Sequence, residues 1–152
     1  MPGKLIIVCG LPGSGKTTRA KELECAPNVV RLSPDEWMEA LAVDVWDDVV
    51  RAKVEALQWQ LAQRLLTAGL TVVIEWGTWA RSERDVLRAG ARALGAAVEL
   101  HYLTAPLHVL LERIERRGIE HPPVTHEHLA KWAKLFQAPT ADELELYDER
   151  AS

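Results

Sequence analysis

Short unbroken apolar runs alternate along this chain with longer stretches of helical periodicity. Leu5-Ile6-Ile7-Val8-Cys9 has no polar member, the mark of a strand buried on both faces. Asn28 to Leu32, Thr71 to Glu75 and Ala97 to Leu103 read as further strands. Between them the spacing predicts helices from Lys16 to about Glu24, Asp47 to Ala68, Ser82 to Leu94, Pro106 to Arg117 and Thr125 to Phe136. In the longest, Val50, Val54, Leu57, Leu61 and Leu65 recur in steps of three and four and define one apolar face. Ser33-Pro34-Asp35-Glu36 is a helix start, with Ser33 as cap, Pro34 in the first position and Glu36 three residues after the cap. That helix runs to about Leu41. Glu143 to Tyr147 reads as a fifth strand or as part of a tail beginning near Thr140. Strands alternating with helices predict an α/β fold, an open parallel sheet with helices on both faces. With no internal repeat and no linker, residues 1–152 read as one domain.

Composition narrows the function classes. The 152 residues are 48% hydrophobic and 26% charged, enough for a self-supporting core and unlike a disordered chain. A net charge of −4 weighs against a dedicated nucleic-acid binder. Two cysteines, Cys9 and Cys25, are too few for a disulfide framework and read as small buried apolar thiols. The first apolar run is only five residues long, too short for a signal segment or a membrane span. The expectation is a soluble, cytoplasmic protein.

The chemistry concentrates after the first strand. Gly10, Leu11, Pro12, Gly13, Ser14, Gly15, Lys16 and Thr17 fit G-x-x-x-x-G-K-S/T, and Thr18 follows. Glycines let successive backbone N–H groups turn inward, and the following helix adds its positive end, so the loop cradles a polyphosphate. Lys16 would supply charge to the β- and γ-phosphates of ATP, and Thr17 a hydroxyl to Mg²⁺. The loop follows a buried strand and opens a helix, the context the motif requires.

Other candidates gather where parallel strands end. Glu75 would help hold Mg²⁺ through water, or is a solvated carboxylate. Asp35 would accept the proton of an acceptor hydroxyl, or is a first-turn acid that favours the helix dipole. Arg113 and Arg117, one turn apart, would close over the γ-phosphate, or are ordinary charges at a helix end. Trp76 and Trp79 would wall an acceptor, with Arg81 or Arg84 near phosphate, or are packing residues. Trp37 and Trp46 would extend that wall, whereas Trp59 and Trp132 read as helix packing. His121, His126 and His128 match no zinc spacing.

Taken together, the GLPGSGKTT loop, the Ser-Pro-Asp-Glu segment, VVIEWGTWAR-x-ERD, the R-x-x-x-R of Arg113 and Arg117, and a late FQAP-x-x-DE resemble the small P-loop kinases. That group includes zeta toxins, chloramphenicol phosphotransferase and the kinase domain of bacteriophage-type polynucleotide kinase. The resemblance runs from Lys4 to about Glu143. It implies a three-layer sandwich with about five strands in the order 2-3-1-4-5. It also implies ATP-dependent transfer of the γ-phosphoryl group, with Mg²⁺. By position, Asp35 would be the general base, Arg113 and Arg117 the arginines of a flexible lid over about 113–125, and Lys16 and Thr17 the nucleotide residues. Glu75 and the tryptophans around it depart from the pattern.

The leading expectation is therefore an ATP:alcohol phosphotransferase acting on a small hydroxyl-bearing molecule, with no membrane partner. A polynucleotide 5′-hydroxyl kinase shares the same core, but its substrate needs basic contacts. A non-catalytic ATP switch is the third class. Asn28 is the only asparagine, so no N-K-x-D guanine motif exists.

Overall fold

A computed structural model describes residues 2–148. Four strands, β1 (Lys4–Cys9), β2 (Val29–Leu32), β3 (Thr71–Ile74) and β4 (Ala97–Tyr102), form one parallel sheet in the order β2-β3-β1-β4. Each crossover carries helix: α1 (Lys16–Glu24), then α2 (Pro34–Ala40) and α3 (Asp48–Thr67), then α4 (Arg81–Ala93). Beyond β4 lie α5 (Leu107–Arg117), α6 (His126–Leu135) and a short α7 (Ala141–Leu144). Among the described residues no helix is long and apolar enough to cross a membrane.

The register explains why β1 is apolar throughout. Leu5, Ile7 and Cys9 face a large core with Val72, Ile74, Val98 and Leu100, closed by Ala62 and Leu66 of α3 and Leu87 and Ala91 of α4. Ile6 and Val8 face the other way, toward Val73 and Ala20 of α1. A central strand covered on both faces has no polar side to show. A third cluster joins α5 and α6 through Leu110, Ile114, Val124 and Leu129.

Two expectations need correction. The buried stripe of α3 is Val54, Gln58, Ala62 and Leu66, whereas Leu57 is 57% exposed. A glutamine belongs in that stripe because Trp76 Nε1 donates to its Oε1 at 2.8 Å. That polar member disguises the centre of the stripe, and Leu61 and Leu65 of the expected face pack partly buried at its margin.

The second correction concerns the fifth strand. Residues 143–147 are not extended; α7 occupies the first part, with the Thr140 hydroxyl accepting from Glu143 N at 3.2 Å. Thr140-x-x-Glu143 is a helix-start pattern. Here the Glu143 carboxylate is committed to Arg84 instead. Asp148 nevertheless fills the place of a strand at the β4 edge. Its N donates to Val98 O at 2.8 Å, and its carboxylate accepts from Val98 N at 2.7 Å. The segment expected as a tail thus closes the open edge with one residue.

Candidate active site

All four strands end on one edge, and the segments that follow β1, β2 and β3 help enclose a cavity of about 420 Å³. From β1 the chain enters the glycine-rich loop, where Gly13 has φ 81° and Gly15 φ 102°. A Cβ at Gly13 would lie 2.5 Å from the Leu110 carbonyl oxygen, so the loop is also pressed against α5. Lys16 opens α1 and lines the cavity with Pro12 and Thr17. Its ammonium donates to the Gly10 carbonyl at 2.8 Å, across the loop. Desolvation lowers its pKa to about 8, and Asp35 pulls weakly the other way. A polyphosphate there would restore the charge that burial opposes.

Asp35 lies in the first turn of α2 and reaches the cavity. Arg51 of α3 donates to its Oδ1 at 2.6 Å and to the Val45 carbonyl at 3.0 Å. The carboxylate is therefore oriented by a cation that lines the same cavity. Glu75 follows β3 directly and is buried. Arg31 of β2 donates to its Oε1 at 2.6 Å and also binds Glu24 and Glu36. Burial works against the Arg31 charge, and its bonds to Glu36 and Glu24 outweigh that and hold it firmly protonated. Glu75 Oε2 has no partner. Glu75 shares the cavity lining with Thr17, and a buried, unsatisfied oxygen there fits a water of a Mg²⁺ shell, as the glycine cradle with Lys16 fits the phosphates of ATP.

The aromatic wall differs from its expected membership. Trp76 is 7% exposed, belongs to the large core and does not line the cavity. Trp79 does line it, and Trp132 and Trp46 stand with it. Ring centroids are 5.9 Å apart for both Trp79–Trp132 and Trp46–Trp132, and His128 stacks on Trp132 at 5.7 Å. Trp132 packs on the α5–α6 cluster as expected, and it also stands between Trp46 and Trp79 in the wall. Trp37 packs on the large core instead. Trp59 packs on α4, where a Cβ at Gly90 would lie 2.7 Å from its ring.

The arginines separate as well. Arg113 donates to the Gly13 carbonyl at 3.1 Å, above the phosphate loop but outside the cavity lining. Arg117 lines the cavity and donates to Glu120 at 2.7 Å. Arg81 lies outside that lining too; its N donates to Gln137 Oε1 at 2.9 Å. Arg84, expected near phosphate, is fully buried and binds both oxygens of Glu143, at 2.6 and 2.8 Å. It also donates to the carbonyls of Thr78 and Gln137, each at 2.7 Å. Thr78 has φ 45°, a strained value for a β-branched residue, and it lines the cavity with its hydroxyl buried. The ERD and FQAP-x-x-DE motifs therefore meet through one buried ion pair that holds the cavity rim in place.

Cys9 is buried, and its Sγ contacts the Thr78 carbonyl at 3.6 Å; burial raises its pKa. Cys25 is exposed, unlike the buried apolar thiol expected. Arg31, Arg51 and Thr78 were not singled out from the sequence. An arginine inside an apolar strand is the one available signal, since it demands buried carboxylates.

No curated protein matches the sequence. Among solved structures, a chain of the Pnkp1/Rnl/Hen1 RNA repair complex superposes with TM-score 0.73 at 21% identity. That likeness covers 97% of this chain but only 47% of that one, so this chain spans about half its length. A gluconokinase from Sinorhizobium meliloti 1021 gives TM-score 0.61 at 19% identity, covering 93% of this chain and 78% of its own. Chaetomium thermophilum Kti12 in complex with ADP-AlF3 gives 0.66 at 19%, covering 90% and 81%. These likenesses show a P-loop, kinase-like α/β fold. The profile of the AAA domain family (AAA_33) matches residues 5–139, and the chain belongs to that family.

Proposed function

We propose that the protein is an ATP-dependent phosphotransferase that moves the γ-phosphoryl group to a hydroxyl of a small molecule. The observation that carries this reading is the convergence of Lys16 and Asp35 on one cavity, with Arg51 fixing the carboxylate. The loop amides and Lys16 would hold the phosphates, and Thr17 and Glu75 the Mg²⁺, which neutralises charge on the transferring group. Asp35 would accept the hydroxyl proton as the acceptor oxygen bonds to the γ-phosphorus and the bond to the β-phosphate oxygen breaks, releasing ADP. Arg117, with Arg113 above the loop, would close a lid formed by about 113–125 and exclude water, which otherwise hydrolyses ATP. Neighbours that are a gluconokinase and a sugar kinase support the reading, as does the cavity's size. The polynucleotide kinase alternative is disfavoured by the same cavity, where Arg51 and Arg117 are already paired with carboxylates.

The test is an acceptor screen with γ-labelled ATP, Mg²⁺ and pooled nucleosides, sugars, antibiotics and oligonucleotides, with Lys16→Ala as blank. Lys16-dependent label on a small molecule is the expected result. Label on oligonucleotide ends alone would move the reading to the polynucleotide alternative.

A further inference from the structure

The charge of the acceptor is legible in the cavity, given the kinase reading above. Six carboxylates line it: Asp35, Asp48, Glu55, Glu75, Glu83 and Glu120. Its cations are Lys16, Arg51 and Arg117. Arg51 is bound to Asp35 at 2.6 Å and Arg117 to Glu120 at 2.7 Å. Lys16 serves the nucleotide, and Glu75 is bound to Arg31 at 2.6 Å. Among the described residues, Asp48, Glu55 and Glu83 take part in no ion pair, although all three line the cavity; Glu83 Oε1 accepts only from the Ala80 N–H, at 3.3 Å. Asp48 and Glu55 flank Arg51 on one face of α3, and Glu83 projects from the first turn of α4. Burial raises the pKa of Glu55; Arg51 opposes that, while Glu83 and Asp35 add to it, which marks Glu83 and Asp35 as close neighbours of Glu55.

Two further features belong to the same space. Trp46, Trp79 and Trp132 present a partly exposed aromatic wall. Thr78 lines the cavity, and its Oγ1 is buried without a hydrogen-bond partner. A buried hydroxyl left unpaired is costly, and a polar ligand reaching this wall of the cavity would satisfy it. The strained backbone at Thr78, pinned by Arg84, shows that this placement is held against local preference.

We infer that the acceptor is a hydroxyl compound carrying a protonated amine next to an aromatic or apolar ring. The amine would sit among Glu55, Glu83 and Asp48, and the ring against the tryptophans, whose faces also attract cations. Thr78 would hydrogen-bond the polar part that points inward. An anionic acceptor finds no unpaired cation there except the lysine that holds ATP, and it meets three acids that no cation neutralises. This separates the chain's acceptor from phosphate-bearing substrates by chemistry rather than by shape.

The experiment uses the full chain, γ-labelled ATP, Mg²⁺ and three acceptor pools matched in hydroxyls and rings but differing in charge. One matched set is phenylalaninol, N-acetylphenylalaninol and 3-phenyllactate; amino sugars, neutral sugars and sugar acids form another. Label is expected in the cationic pool, at least tenfold above the other two. For the labelled acceptor, Glu55→Gln with Glu83→Gln is expected to raise KM about tenfold while kcat changes less than threefold. Tryptophan fluorescence should report the same loss of affinity without turnover. Preferential label in the neutral or anionic pool overturns the inference and leaves the kinase reading standing. So does an unchanged KM in the double variant, with its melting temperature showing that it is folded. Free phosphate as the sole product with every pool overturns the kinase reading and the inference with it.

Discussion

Lys16 is the residue on which charge and function are most tightly coupled. Its pKa of about 8, against an ordinary 10.5, means that the empty site holds its proton weakly. Bound phosphates would raise that value, so nucleotide binding takes up a proton near pH 8.5 and almost none at pH 6.5. Calorimetry of ADP binding in buffers of different ionisation enthalpy measures that number; zero uptake at pH 8.5 would contradict the assignment. The sign for folding runs parallel. Between about pH 8 and 10.5 the unfolded chain binds a proton that the folded one has released, so this lysine's penalty on stability fades as pH rises through that window. The thiols give a second residue-scale check. Exposed Cys25 should react with a thiol reagent in the native protein, and buried Cys9, with its raised pKa, only on unfolding. Two fast thiols in the native state would show that the site edge opens readily.

At the scale of elements, the short α7 and the start of α4 are joined by the Arg84–Glu143 pair, whose side chains are 0% and 1% exposed. Removing one partner leaves a buried charge. Glu143→Leu should cost about 3–5 kcal/mol and lower Tm by on the order of 10 °C. The paired change Arg84→Met with Glu143→Leu should recover most of that stability, since the apolar pair leaves no stranded charge. It should not recover transfer, because Thr78 loses the guanidinium that holds its carbonyl. Thermal denaturation beside an activity assay separates the two. Most elements were legible in sequence: β1, α1, α2, β3 and β4 follow from apolar runs, a cap and a glycine-rich turn. The failures share a cause. Gln58 and Glu143 are polar residues buried by a partner far along the chain, Trp76 and Arg84, and no local pattern reports such a partner.

For the whole molecule, the parallel order β2-β3-β1-β4 brings the loops after β1, β2 and β3 to one edge, and the site follows from that topology. The sequence motifs located Lys16, Asp35, Glu75, Trp79 and Arg117, all of which line one cavity. What pattern reading missed is the set of residues that orient them. Arg31 and Arg51 lie in other elements, and their importance is visible only once Glu75 and Asp35 stand beside them. The place of Trp132 in the wall was missed for a related reason: its neighbours Trp46 and Trp79 are distant in sequence and meet it only in the folded chain. A lid over 113–125 would complete the enclosure. In the structure its loop is tied to the opposite wall by Trp46 Nε1, which donates to the Pro122 carbonyl at 2.9 Å. Trp46→Phe keeps the ring but removes that bond, and should raise futile ATP hydrolysis relative to transfer by a fewfold. The ratio of free phosphate to phosphorylated acceptor measures it.

The central claim is tested most directly by following the γ-phosphoryl group in wild type and Asp35→Ala, each incubated with labelled ATP, Mg²⁺ and a small-molecule extract. The account predicts a new labelled organic phosphate with wild type, reduced by roughly 10²–10⁴-fold in the variant. Calorimetry on the same two proteins should give similar affinity for Mg-ADP. Equal transfer by both proteins would contradict the role of Asp35, and ADP binding with no organic phosphate formed would contradict the kinase itself.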